Sequence, residues 1–103
     1  GVTFKENCPD IRNTKVVDIY NELKEFGLKV DICDPWADKE EVFNEYGVKI
    51  LSKIDEQKKY QAIVVCVAHQ EFLSFDYEKY ANNNTVIYDV KGFVDRKFVD
   101  ARL

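Results

Sequence analysis

Ala62-Ile63-Val64-Val65-Cys66-Val67-Ala68 runs apolar without a break. A strand apolar at every position is one buried on both faces, as in a parallel sheet covered by helices. Toward the C-terminus, residues 70–80 are mixed and partly helical, and Asn82-Asn83-Asn84 is a turn. Thr85-Val86-Ile87-Tyr88 then forms a last strand that stops at Asp89, and residues 93–103 read as a short helix.

Toward the N-terminus, Leu28, Val30 and Ile32 alternate with Lys29, Asp31 and Cys33, a strand period closed by Asp34-Pro35. Val48-Lys49-Ile50 is a short strand. Residues 52–59 are polar around Ile54 and suit a short helix or loop. Between these strands lie two helix patterns. Over residues 14–26, Val16, Ile19, Tyr20 and Leu23 follow the i, i+3, i+4, i+7 spacing, with Asn13 or Thr14 as cap and Gly27 as stop. Asp38 caps a second helix that turns Val42, Phe43 and Tyr46 inward and ends at Gly47. Gly1-Val2-Thr3-Phe4 has the character of the end of a strand, so the chain is expected to open inside its first strand and to be a piece of a larger protein.

Strand and helix thus alternate along the chain, which predicts an α/β domain with a parallel sheet and right-handed crossovers. The expected architecture is a three-layer Rossmann-like domain of about five strands spanning residues 1–103. Numbering the candidate strands along the chain, their expected order is 3-2-1-4-5.

Composition narrows the function. The chain has 103 residues, 46% hydrophobic and 33% charged, with a formal net charge of −4. No apolar run approaches the roughly 20 residues of a membrane span, and the start lacks the basic-then-apolar order of a signal segment. The expectation is a soluble cytoplasmic domain with neither membrane nor nucleic acid as partner. Cys8, Cys33 and Cys66 are far apart, no C-x-x-C occurs, and His69 is the one histidine. This pattern argues against a zinc site and against a disulfide framework.

In an open parallel sheet, ligands bind beyond the carboxyl ends of the strands, where the strand order reverses. Candidate strand one delivers Phe4 and Lys5 to that edge, strand two Asp34, Pro35 and Trp36, strand four His69 and Gln70, and strand five Asp89 and Lys91. The start of the first helix adds free N–H groups there. Two lysines beside a helix start suit a phosphate-bearing ligand in spite of the acidic whole. The glycine-rich turn that brings backbone onto a pyrophosphate is missing, so such a ligand would be held mainly by side chains. Lys5 and Lys91 are therefore candidate ligand contacts. By residue type alone Phe4 reads as core, Asp10 and Arg12 as a pair that shapes the turn, and His69 as a loop tie. Cys8 has no histidine close in sequence to make it a nucleophile.

Gly1-x-Thr3-Phe4-Lys5-Glu6-Asn7-Cys8-x-Asp10-Ile11-Arg12 resembles the opening of the C-terminal domain of the nucleotide-sugar 6-dehydrogenases, the UDP-glucose/GDP-mannose dehydrogenase family. Asp34-Pro35, Ala62 to His69 and Asp89-Val90-Lys91-Gly92 continue the resemblance in order, over essentially the whole chain. The wording from Phe4 to Arg12 is most similar to the bacterial branch acting on UDP-N-acetylhexosamines. The resemblance implies an enzyme that oxidises the C6 alcohol of a UDP-sugar to a carboxylate in two NAD-dependent steps, for polysaccharide biosynthesis. In such an enzyme an N-terminal domain binds NAD, a helical middle region supplies the catalytic cysteine and the homodimer interface, and the C-terminal domain binds the UDP portion. This chain matches the third part alone, and by itself is expected to be inactive. The resemblance assigns substrate contacts to Phe4, Lys5 and Lys91, and a partly structural role to Asp10 and Arg12. It assigns no catalytic residue and no metal ligand to this stretch. Lysine at position 91, where the family often has arginine, offers a point charge in place of a bidentate fork.

Two other readings share the fold class. A signalling receiver would need an aspartate at the end of strand three, where the chain reads Ile50-Leu51-Ser52. A non-catalytic assembly module would use Trp36 and the Tyr77/Tyr80 region as its partner surface.

Overall fold

The computed structural model describes residues 1–51, 53–54, 58–81 and 84–102, the last of these by its backbone. It is a small α/β domain with two α-helices and a parallel sheet, consistent with a Rossmann-like fold. Helix α1 spans Val16–Glu25 and α2 spans Lys39–Tyr46. Strands β1 (Ala62–Val65), β2 (Val86–Asp89) and β3 (Ala101–Arg102) form one parallel sheet in the order β1-β2-β3. The register pairs Ile63 with Ile87 and Val65 with Asp89.

Both helices begin and end where local chemistry directs. The Asp38 carboxylate accepts the N–H groups of Glu40 and Glu41, and Gly47 closes α2 at φ +69°, a left-handed turn that costs a side chain about 1–2 kcal/mol. The Thr14 hydroxyl accepts the Val16 N–H at the start of α1, and Gly27 follows its end at φ +81°. The inner face of α2 is narrower than its sequence pattern implies. Val42 is fully buried and Tyr46 donates its hydroxyl to the Ile11 carbonyl, but Phe43 is exposed. On α1 the fully sheltered residue is Val17, and Ile19 is partly exposed.

Two apolar cores result. One joins Val2, Ile11, Val17, Ile32, Val42, Val48 and Ile50. The other packs Val65, Tyr77, Ile87 and Val94 against Phe72, Phe75 and Phe98 on one face of the sheet. The other sheet face is open, with Val64 40% and Val86 50% exposed, so β1 is buried on one face and not on both. Tyr77 and Tyr80 are interior residues, Tyr77 edge-on to Phe75 and Tyr80 stacked on it, and neither is exposed as a partner surface.

The remaining candidate strands are reduced. Residues 28–33 and 48–51 share a core but pair through their backbones at one parallel bridge, Cys33 with Leu51, where the Leu51 N–H donates to Ile32 (2.8 Å) and the Asp34 N–H to Leu51 (3.1 Å). Between residues 28–33 and the free side of β1 lies a cavity of about 460 Å³, roofed by Val16, Tyr20 and Leu23 of α1. Residues 70–80 are partly helical, with a 3-10 turn at Gln70–Phe72. The tail departs from the expected helix. A 3-10 turn at Arg96–Phe98 leads into β3, because Asp100 takes both partners of Ile87: its carboxylate accepts the Ile87 N–H (2.7 Å) and its own N–H donates back (2.9 Å). Half of the expected element over 52–59, and two of the three residues of the turn at 82–84, lie outside the described residues.

Candidate functional site

Three chain segments meet beyond the carboxyl ends of the strands, and one buried network joins them. Asp34 follows the Cys33 bridge, His69 follows β1, and Thr3 leads into the loop of residues 4–14. All three are buried. Asp34 Oδ2 accepts the N–H groups of Val2 (2.7 Å) and Thr3 (3.2 Å), while Oδ1 accepts those of Trp36 (2.7 Å) and Ala37 (3.0 Å). Burial works to raise the Asp34 pKa, but the hydrogen bonds from Val2 and Trp36 and from His69 outweigh it, and the net shift is downward.

His69 is fully buried beneath Trp36, whose ring stacks on it at 6.0 Å, and beside Phe72. Its Nδ1 accepts the Asn7 N–H (2.9 Å), so that nitrogen carries no proton and Nε2 carries one. The Nε2–H lies 3.0 Å from both Asp34 Oδ2 and Thr3 Oγ1. The Thr3 hydroxyl donates to the Lys5 carbonyl (2.9 Å), and the Gln70 N–H donates to Asn7 Oδ1 (2.9 Å). His69 is therefore a loop tie, with both nitrogens committed and neither available to activate Cys8.

The loop so held presents its side chains outward. Phe4 is 56% exposed, which corrects the reading of it as core: its neighbours Val2 and Thr3 take the interior positions, and its own N–H turns to the Asp10 carbonyl (2.7 Å). Lys5 is exposed, and among the described residues no salt bridge engages it. Asp10 and Arg12 bind each other through Nε to Oδ1 (3.0 Å) and Nη2 to Oδ2 (2.9 Å). The Arg12 guanidinium and backbone N–H hold the Asp10 pKa down at about 2. Arg12 is thus occupied inside the loop, and Asn7 and Asn13 supply its positive-φ turns.

On the next strand, fully buried Asp89 shapes the turn that carries Lys91. Its oxygens accept the N–H groups of Gly92 (2.9 Å) and Val94 (2.8 Å). Lys91 is exposed, and its charge acts on the Cys66 thiol just past β1, whose pKa burial raises. Lys5 and Lys91 are thus solvent-facing cations, Lys5 on the loop tied to His69 after β1 and Lys91 on the turn after β2. The aspartates beneath them were read from sequence as strand stops; their second function as loop anchors was signalled only by their position directly after apolar strands.

The turn after residues 1–3 does not fit NAD. Residues 2–26 contain no glycine, and the loop leaves the interior through Phe4, Lys5 and the asparagine turns, with side chains where a dinucleotide needs bare backbone.

Residues 1–96 match the family model described as the UDP-glucose/GDP-mannose dehydrogenase family, UDP binding domain. The chain belongs to this family. It is 45% identical to the UDP-N-acetyl-D-glucosamine 6-dehydrogenase of Salmonella typhi and 43% identical to that of Pseudomonas aeruginosa, in each case over 100% of this chain and 25% of the relative. It is also 38% identical to Protein CapL of Staphylococcus aureus, over 92% of this chain and 23% of that protein. The chain thus spans about a quarter of the length of the curated relatives it matches.

Proposed function

We propose that residues 1–103 are the nucleotide-sugar-binding domain of an NAD-dependent UDP-sugar 6-dehydrogenase, a cytoplasmic homodimer that oxidises the sugar C6 alcohol to a carboxylate for polysaccharide biosynthesis. The observation that carries this reading is the pair of solvent-facing lysines, Lys5 and Lys91, on the loop and the turn held by the buried Asp34–His69 and Asp89 anchors. In this reading Lys5 and Lys91 meet the diphosphate, and exposed Phe4 packs on the nucleotide or sugar. Asp10 and Arg12 keep the loop in shape. NAD and the catalytic cysteine belong to domains outside these residues, and this domain's part is to hold the substrate in place for them.

The same proposal extends to the sheet. Candidate strands two and three touch at the Cys33–Leu51 bridge, and four and five pair as β1 and β2. Val2 and Thr3 are bonded to Asp34, and a side chain at Gly1 would meet Val67. Strand one then lies between strands two and four, giving five strands in the order 3-2-1-4-5, with β3 beyond. Gly1 lines the cavity between residues 28–33 and β1, as expected of a strand that runs between them.

The test is calorimetry of UDP binding to the full-length enzyme. Lys5→Ala is expected to weaken binding by about 1.5–3 kcal/mol, the worth of a charge-assisted bond. Unchanged affinity would remove Lys5 from the site.

A further inference from the structure

We infer that His69 is a positioning residue for the Lys5 loop, and that the operative contact is the hydrogen bond from the Asn7 N–H to its Nδ1. This rests on the UDP-site reading above. Lys5 is gripped on both sides. Before it, the Thr3 hydroxyl donates to the Lys5 carbonyl, and Thr3 itself leans on His69 Nε2. After it, Asn7 is fixed by the bond to His69 Nδ1 and by the Gln70 N–H on its Oδ1. Asn7 also sits at φ +52°, in the left-handed region that asparagine adopts more readily than most residues with a side chain.

The two ring nitrogens do separable work. Nε2 binds to Asp34, which has four backbone N–H donors besides and remains satisfied without the histidine. Nδ1 is the partner of the Asn7 N–H and reaches the loop that carries the cation. A buried anchor of this kind fixes where a ligand-contacting side chain begins, and small displacements there are felt in binding.

Two substitutions divide the ring. In His69→Asn, the amide oxygen falls where Nδ1 was and the Asn7 bond survives. In His69→Gln, the amide nitrogen falls where Nε2 was, so the Asp34 contact survives and the Asn7 N–H loses its partner. In the full-length enzyme, with UDP as titrant, His69→Gln is expected to raise the Kd at least tenfold and His69→Asn to keep it within about threefold, at similar melting temperatures. Equal losses in the two variants, or a larger loss in His69→Asn, would overturn the inference. Should either variant fail to fold, long-range 1H–15N spectra of the wild-type histidine decide: an unprotonated, hydrogen-bonded Nδ1 supports it and a protonated Nδ1 overturns it. A wild-type enzyme that does not bind UDP would remove the site reading itself, and this inference with it. Tight wild-type binding that is weakened by Lys5→Ala but indifferent to both His69 variants would remove this inference alone.

Discussion

Asp34 is surrounded by donors: four backbone N–H groups and the His69 ring. Aspartate is seldom fully buried without partners, and from sequence it showed as the stop before Pro35 and as one of the side chains at the strand edge. Its place in the interior depends on segments far apart in the chain, which no local pattern records. The same is true of Asp89 and His69, whereas the Asp10–Arg12 pair is local and was legible. The pH consequence follows from direction. Bonded to Val2, Trp36 and His69, Asp34 has a folded-state pKa below its unfolded value. Its stabilisation is then complete above the unfolded value of about 4 and is lost as pH falls through the folded one. Asp34→Asn places an NH2 against donors and is expected to cost about 1–3 kcal/mol at neutral pH. It should also flatten the acid limb of stability. Thermal melts of the full-length enzyme between neutrality and acid would show this; a variant that keeps the full wild-type acid slope would contradict it.

At the scale of elements, the helices were readable because their boundaries are chemical. Asp38 and Gly47 mark α2, and Gly27 marks the end of α1. Asp38→Ala removes an acceptor for two N–H groups and should lower stability by about 1 kcal/mol, measurable as a shifted denaturation midpoint with unchanged slope. No shift would mean that the cap is replaceable by water. The strands were less readable. β1 and β2 are apolar enough to declare themselves, but residues 28–33 and 48–51 depend on neighbours and keep a single bridge beside an open cavity. β3 was missed altogether, since two residues have no periodicity and Asp100 sets their place by pairing with Ile87.

At the scale of the molecule, a chain of net charge −4 carries exposed lysines, Lys5 and Lys91, on the loop tied behind β1 and on the turn after β2. The motif from Phe4 to Arg12 announced the family, and the family model over residues 1–96 shows it. What sequence alone left out was the division of labour within the motif: Phe4 and Lys5 face solvent, while Thr3 and Asn7 hold the loop down. The most direct test of the whole account is a crystal structure of the full-length enzyme with UDP bound. The diphosphate should lie at the carboxyl edge of this sheet, with Lys5 Nζ within hydrogen-bonding distance of ligand oxygen and Lys91 facing the same anion. UDP bound on another face of the domain, with Lys5 turned to solvent, would contradict it.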